Sequence, residues 1–418
     1  MNPNYNNHLS KEEKTNSGSY YTPDILVQTI HQWIRPYIKK GCLIADTAAG
    51  YGAFLSAIDD QQTLGIDIDE EAVDHLRKFS STEVHSGNSL EYINRSDWGI
   101  DADQQLIIVG NPPYNDTTSK NKRAEKTETL FMHNKVIARD YGVAFLKSYC
   151  ELNAEIVCVL HPLSYLIKKA NFQQLKQFSS NYKLIRGSVF SSIYFPDTRG
   201  TPFPVMIGLY QRDAMGMYYE DILNTEFEIL DQPGRCFCLN KIETIDGYIR
   251  KYPPKKSENP RSDINLYFYS IRDTNSLTTS ANFSEKEKFD LQITVHYNRF
   301  MHYCYLSCYK RYFGKHYLFG NVSPLIRKID FEKNLELQIF CLIDTLRNNP
   351  KIHLFKSNEF IERVHDDILR KFSQLSLIHQ KSKNYLLIKS YLENREMDHK
   401  ITKEFFTTYF QDLRSSMV

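Results

Sequence analysis

"CLIADTAAGYGAFLSAI", residues 42–58, and "TLGIDIDEEAVDHLRKF", residues 63–79, decide the fold. The first runs from an apolar stretch ending at Asp46, through a turn holding Gly50 and Gly52, into apolar residues at helical spacing. That is strand, glycine turn, helix. The second is a strand ending at Asp67, then a helix with Asp69 as its expected N-cap. Outward from this pair the alternation continues. "LIIVG" (106–110), "AEIVCVLHP" (154–162) and "FPVMIGLYQ" (203–211) read as strands; "YGVAFLKSYCEL" (141–152) and "SYLIKKANFQQLKQFSSNY" (164–182) read as helices. Upstream, Pro23-Asp24 opens a helix running to about Ile38. Strands alternating with helices predict an α/β fold: a mostly parallel sheet with helices on both faces.

The alternation fades after about Arg212. "KYPPKKSENPRSD" (251–263) reads as a loop or linker, and residues 331–349 and 359–397 carry apolar residues at near-helical spacing. The expected organisation is an N-terminal arm (1–18), a catalytic domain (19–215) and a mixed, largely helical C-terminal domain (216–418). A length of 418 residues fits two domains. The net charge of +2 excludes a generally basic binding protein, so any nucleic-acid contact needs a local concentration of charge. The eight cysteines are scattered, without zinc-site spacing. They read as reduced thiols in a cytoplasmic protein with no metal. No apolar run approaches membrane-spanning length, and residues 1–18 lack the apolar core of an export signal.

"LIIVGNPPYND", residues 106–116, carries the chemistry. Each proline fixes its own φ and pushes the residue before it into extended geometry. The segment is therefore stiff, with the Asn111 amide and the Pro112 carbonyl at fixed positions and the Tyr114 ring beside them. Two oxygen acceptors and a stacking surface suit a planar group bearing an amino substituent. The plainer reading is a strand that stops at a proline turn. In "ADTAAGYGAFL" (45–55) an acid precedes the glycines, which favours a ligand with an ammonium group over a dinucleotide pyrophosphate. Asp67, at the second strand end, suits ribose hydroxyls. Asn88, in "VHSGNSLEY" (84–92), can read an adenine amino group or simply be a turn residue.

Taken in order, "SGSYYTPDILVQTI", "ADTAAGYGAFL", "GIDID", "GNSLEY" and "VGNPPYND" resemble the adenine-N6 DNA methyltransferases over roughly the first half of the chain. The resemblance implies a Rossmann-like class I methyltransferase sheet followed by a target-recognition domain, with S-adenosylmethionine as cofactor. It implies that Tyr21, Thr22, Pro23, Asp46, Ala48, Gly50, Gly52, Asp67, Ile68, Asn88, Ser89 and Asn111 hold that cofactor. Asp46 would take its ammonium and Asp67 its ribose. Asn111 and Pro112 would accept the two N6 hydrogens of a flipped adenine, and Tyr114 would stack on it. A second aromatic wall falls to Phe195, in preference to Phe203, with core packing as the competing reading. Two positions depart from the family pattern: Asn88 stands where Asp is usual, and Thr47 follows Asp46 where Pro is usual.

Residues 296–328 contain six Lys or Arg, nine Tyr or Phe and no acid. They read either as a phosphate-contacting surface, with Lys310, Arg311 and Lys315 as contacts, or as a tyrosine-rich core edge. Lys255 and Lys256 are the second candidate contact. The expected partner is duplex DNA bound by a monomer; a separate restriction endonuclease is a further partner the resemblance allows. Enzymes that methylate RNA bases or a protein glutamine share Asn-Pro-Pro-Tyr, but they usually lack the Tyr-Thr-Pro segment. A non-catalytic DNA-binding subunit would not need an intact Asn111–Tyr114.

Overall fold

The computed structural model describes residues 22–56, 58, 61–79, 82–114, 130–195, 202–250, 266–269, 283–284, 292–314, 316–320, 322–349, 358–376, 382–394 and 399–418. The chain forms two compact units, Met1–Leu239 and Asn240–Val418.

The first unit is built on a nine-stranded sheet. Its strands are β1 (Leu43–Asp46), β2 (Gln62–Asp67), β3 (Glu83–Ser86), β4 (Leu106–Gly110), β5 (Ile156–Pro162), β6 (Tyr182–Ser191), β7 (Pro204–Arg212), β8 (Phe227–Ile229) and β9 (Cys236–Phe237). The spatial order is β3-β2-β1-β4-β5-β7-β6-β8-β9. The first five in that order are parallel, and β7 runs antiparallel between β5 and β6. This is the class I methyltransferase sheet. The chain leaves β1 toward β2 and β3, then returns to the other side at β4. The β1–β4 boundary is therefore a switch point, where open α/β sheets gather ligands at the carboxyl ends of their strands.

Helix α1 (Asp24–Ile34) lays Leu26, Ile30 and Trp33 against β5 and β7 and ends where Pro36 interrupts its hydrogen bonding. Helices α2 (Glu70–Phe79) and α3 (Tyr141–Glu151) follow β2 and precede β5. Arg95 staples the far end of the sheet, donating to the carbonyls of Leu152, Asp101, Gln104 and Asn153.

Several expectations need correction. Residues 51–56 make turns, not a helix, because Gln62 already begins β2 and leaves room for little more. The single helix expected over 164–182 is three short pieces, Ser164–Ile167, Lys169–Gln174 and Lys176–Ser179. Strand β6 had no clear signal, since Lys183, Arg186 and Gly187 break its apolar alternation. The first unit also runs past the expected boundary near residue 215, to Leu239, because β8 pairs with β6 and β9 with β8.

The second unit holds a three-stranded antiparallel sheet, β10 (Leu266–Tyr269), β11 (Phe283–Ser284) and β12 (Gln292–Val295), in the order β11-β10-β12. Its principal helices are α4 (Tyr297–Tyr312), α5 (Leu335–Asn348), α6 (Asn358–Ser376), α7 (Lys383–Asn394) and α8 (His399–Ser416). Helix α4 packs against α5, α8 and β12, and Tyr303 through Lys310 are all buried. Six of the nine Tyr and Phe residues of 296–328 are therefore core, and Tyr297, Tyr312 and Tyr317 are half-buried. Lys310 is 3% exposed, its ammonium over the Phe268 ring, so it is not a phosphate contact. Arg311 is committed as well: it donates to Asp344, a fully buried carboxylate on α5 that also accepts from Tyr312 Oη (2.6 Å) and Asn348 Nδ2 (2.8 Å). Lys255, Lys256 and Lys315 lie outside the described residues.

A buried carboxylate serving four donors, Cys308 Sγ (3.5 Å) among them, cannot be removed cheaply, because the Arg311 charge loses its partner. Asp344→Ala should destabilise the protein by about 3–5 kcal/mol, read as a lower midpoint in urea unfolding.

Candidate active site

The site sits at the carboxyl ends of β1, β2 and β4. Asp46, at the end of β1, is 2% exposed and accepts a hydrogen bond from Ala48 N (3.0 Å) through Oδ1. Burial, helped by the charge of Asp67, pushes its carboxyl up to about 8. It makes no ion pair among the described residues, so a ligand cation is its natural complement. Asp67 closes the turn: Oδ2 accepts from Gly50 N (2.6 Å) and Oδ1 from Asp69 N (2.9 Å). Burial raises its pKa too. Asp69 caps α2 as expected, accepting from Glu71 N and Ala72 N.

The two glycines of the turn do different work. Both have positive φ, 50° at Gly50 and 78° at Gly52. A Cβ on Gly50 would meet nothing within 4 Å, whereas one on Gly52 would lie 2.2 Å from Leu76 Cδ2. Gly50 thus faces open space, and Gly52 admits α2.

The third contributor is β4. Gly110 has φ 153°, and a Cβ there would stand 2.7 Å from Asp46 Oδ1. The missing side chain makes room for the carboxylate. Immediately after it, Asn111 donates from Nδ2 to Thr22 Oγ1 (3.3 Å), while its Oδ1 is buried with no hydrogen-bond partner. The Pro112 carbonyl accepts no hydrogen bond among the described residues. The segment therefore keeps two acceptors vacant, where buried polar groups are ordinarily satisfied.

Tyr114 is half-buried beside the first turn of α3. A Cβ on Gly142 would lie 3.0 Å from Tyr114 Cβ and 2.7 Å from Tyr165 Oη, so Gly142 lets the two tyrosines close in. Tyr165 Oη donates to Asp140, which caps α3 by accepting from Gly142 N (2.9 Å) and Val143 N (3.3 Å). The Tyr165 ring stacks on His161, centroids 5.5 Å apart. His161 is buried, and burial lowers its pKa to about 4, so the imidazole is neutral. A carbonyl can only accept, so Nδ1–H donates to Pro162 O (3.0 Å) and Nε2 accepts from Tyr210 Oη (2.6 Å). This chain of buried polar groups supports Tyr114 from below. Sequence reasoning passed over Asp140, Gly142, His161 and Tyr165. Only the Asp before a helical run carried a readable signal, as an N-cap.

The remaining expected residues divide. Thr22 is buried and Pro23 is the N-cap of α1; Tyr21 lies outside the described residues. Ile68 is 53% exposed at the site's edge. Ser89 is buried and donates to Thr47 O (2.6 Å), pinning the glycine turn from behind. Asn88 has both ends engaged, Oδ1 with Leu90 N (3.1 Å) and Nδ2 with Phe131 O (2.8 Å), as a turn residue would. Phe195 requires correction: it is 1% exposed, in the core with Phe190 and the residues of α1, and offers no face for stacking. Phe203 packs against the same core. Among the described residues of that segment, Ile193 is exposed.

Residues 52–194 match the family described as Eco57I restriction-modification methylase, about a third of the chain. The matched region begins within the glycine turn and takes in Asn111–Tyr114. The matched stretch is thus similar to a methyltransferase of restriction–modification type. Its cofactor is S-adenosylmethionine. The residues present fit that ligand: Asp46 is a buried carboxylate awaiting a cation, beside the open flank of Gly50. No curated protein matches the chain. Among solved structures, a protein described as the modification subunit of a type I restriction enzyme from Vibrio vulnificus aligns at 14% identity and TM-score 0.36, over 49% of this chain and 47% of its own. The chain thus spans about half of that subunit's length. A protein described as an RNA methyltransferase from Pyrococcus horikoshii aligns at 16% and 0.33, over 48% and 90%. One described as a class I S-adenosylmethionine-dependent methyltransferase from Listeria monocytogenes aligns at 13% and 0.34, over 54% and 76%. Scores this low carry no argument, and the strand order itself carries the fold.

Two outcomes follow from the geometry. An ammonium favours ionised Asp46, so below about pH 8 cofactor binding should release a proton and tighten as pH rises. Calorimetry in buffers of different ionisation enthalpy reads that release, and Asp46→Asn should abolish it. Gly110→Ala should displace the carboxylate and weaken cofactor binding about as much as Asp46→Asn does, measured by the same titration.

Proposed function

We propose that the protein transfers a methyl group from S-adenosylmethionine to the N6 amine of an adenine flipped out of duplex DNA, as the modification component of a restriction–modification system. The observation that carries this reading is the vacant, buried Oδ1 of Asn111, next to the vacant carbonyl of Pro112.

An adenine N6 lone pair is delocalised into the ring and is a poor nucleophile. Two acceptors that take both N6 hydrogens favour a pyramidal nitrogen and stabilise the positive charge that develops on it. Thr22 holds the amide so that its oxygen stays available, and the prolines hold it still. Preorganisation of this kind lowers the barrier by fixing donor and acceptor before reaction. When bound, S-adenosylmethionine supplies the electrophilic methyl. Asp46, the Gly50 turn and Asp67 hold its amino-acid and ribose parts. Flipping the base costs a few kcal/mol, and stacking on Tyr114 returns about 1–3 kcal/mol of that. The second aromatic wall is unassigned, because Phe195 is in the core.

Asn111→Ala should reduce methyl transfer by several orders of magnitude while cofactor affinity stays near wild type. Sequencing of modified bases in DNA from cells expressing wild type and variant measures this directly. Methylation at cytosine, in RNA or on protein, with none at adenine N6 in DNA, would overturn the assignment.

A further inference from the structure

With Lys310 and Arg311 in the core, the second unit needs a different contact surface, and one group of side chains has the chemistry for it. Tyr248 and His302 stack with ring centroids 4.5 Å apart and an interplanar angle of 17°. The Arg299 guanidinium lies 5.9 Å from the Tyr248 centroid and Lys328 Nζ lies 5.7 Å from it. Arg250, exposed and two residues beyond Tyr248, has its backbone N–H bonded to Tyr303 Oη (3.2 Å). Two of the three segments that supply these residues are tied together by backbone bonds, and Tyr303 Oη joins α4 to them by accepting from Arg250 N. Ile245 N donates to Pro324 O, Ile326 N donates to Glu243 O, and Tyr248 N donates to Ile245 O. The cations therefore stand on a framed platform and not on a free loop.

Their state of pairing separates them from three other basic residues of this unit, although Arg363 over Tyr297 and Arg414 over Phe313 are likewise held by rings. Arg311, Arg327 and Arg370 each meet a carboxylate. Among the described residues the side chains of Arg250, Arg299 and Lys328 make no ion pair and no hydrogen bond. Glu243 accepts the backbone N–H of Lys328 (3.1 Å). A cation held by a ring is positioned while all its N–H donors stay available. Uncompensated cations grouped about aromatic faces suit the phosphate backbone of a nucleic acid.

We propose that Arg299 and Lys328, flanked by Arg250 around the Tyr248–His302 stack, form a contact site for the phosphate backbone of duplex DNA. The inference rests on the reading of the protein as a DNA methyltransferase.

Backbone contacts are independent of sequence and release counterions, so an arbitrary short duplex serves as the probe. Fluorescence anisotropy between about 50 and 200 mM salt gives the slope of log affinity against log salt, about 0.9 per phosphate neutralised. Arg299→Gln with Lys328→Gln should reduce that slope by about 2 and leave S-adenosylmethionine binding unchanged. Arg299→Lys with Lys328→Arg should keep the wild-type slope, which separates charge from packing, and the ion-paired control Arg370→Gln should also keep it. An unaltered slope in the neutralised variant overturns this site alone. So does a slope lost equally in the charge-conserving variant. Wild-type protein that binds S-adenosylmethionine but not the duplex at low salt overturns both this inference and the DNA reading. Tighter binding to an RNA of the same sequence overturns the choice of DNA.

Discussion

The first unit depends on one close approach, the Asp46 carboxylate lying where residue 110 would carry a Cβ. That contact brings the end of β4 against the end of β1. It puts a buried carboxyl group next door to the Asn111 amide, so that a cation-binding group and an amine-accepting group sit on either side of a single glycine. The amide is fixed in turn by Thr22, just before α1. Three segments far apart in sequence thus converge because one residue has no side chain. The strand order makes this possible: β1 and β4 are the neighbours across the switch point.

The arrangement has a thermodynamic sign. A free aspartate titrates near 3.9, and Asp46 in the fold is raised to about 8. Its contribution to stability is complete below the lower value and is lost as pH rises through the higher one. Near neutrality the apo fold therefore prefers Asp46 protonated, and a bound ammonium removes that preference. The vacant acceptors at Asn111 and Pro112 follow the same logic. Asn111 Oδ1 is a buried polar atom whose cost a ligand donor would offset.

Much of this was legible in the sequence. The strand–turn–helix alternation located β1, β2, β4, β5, β7, α1, α2 and α3, because each is a strongly periodic or continuously apolar segment. Asp46, Asp67 and Asn111 announced themselves as polar residues ending buried strands. What escaped notice had weaker local signals. β6 alternates poorly, and its partners β7 and β8 lie downstream of it. The support beneath Tyr114 joins Asp140, Gly142, Tyr165 and His161 across three elements, a tertiary coincidence that no spacing encodes. Phe195 and Lys310 show the opposite error. A residue type that suits a ligand also suits a core, and only packing separates the two. The stretch around Lys310 looked amphipathic in composition, yet its basic residues split among core, ion pair and surface.

Helix α4 shares one feature with α5, whose residues 337–346 are likewise all buried. From Tyr303 to Lys310 every residue is enclosed, whereas a helix lying on a protein surface hides one stripe and leaves the rest open. Selection therefore meets this helix as an unbroken block in which no position is neutral, even for a lysine. Evolutionary freedom in the second unit is left to its rim, so the unit can change what it touches while its central rod stays the same.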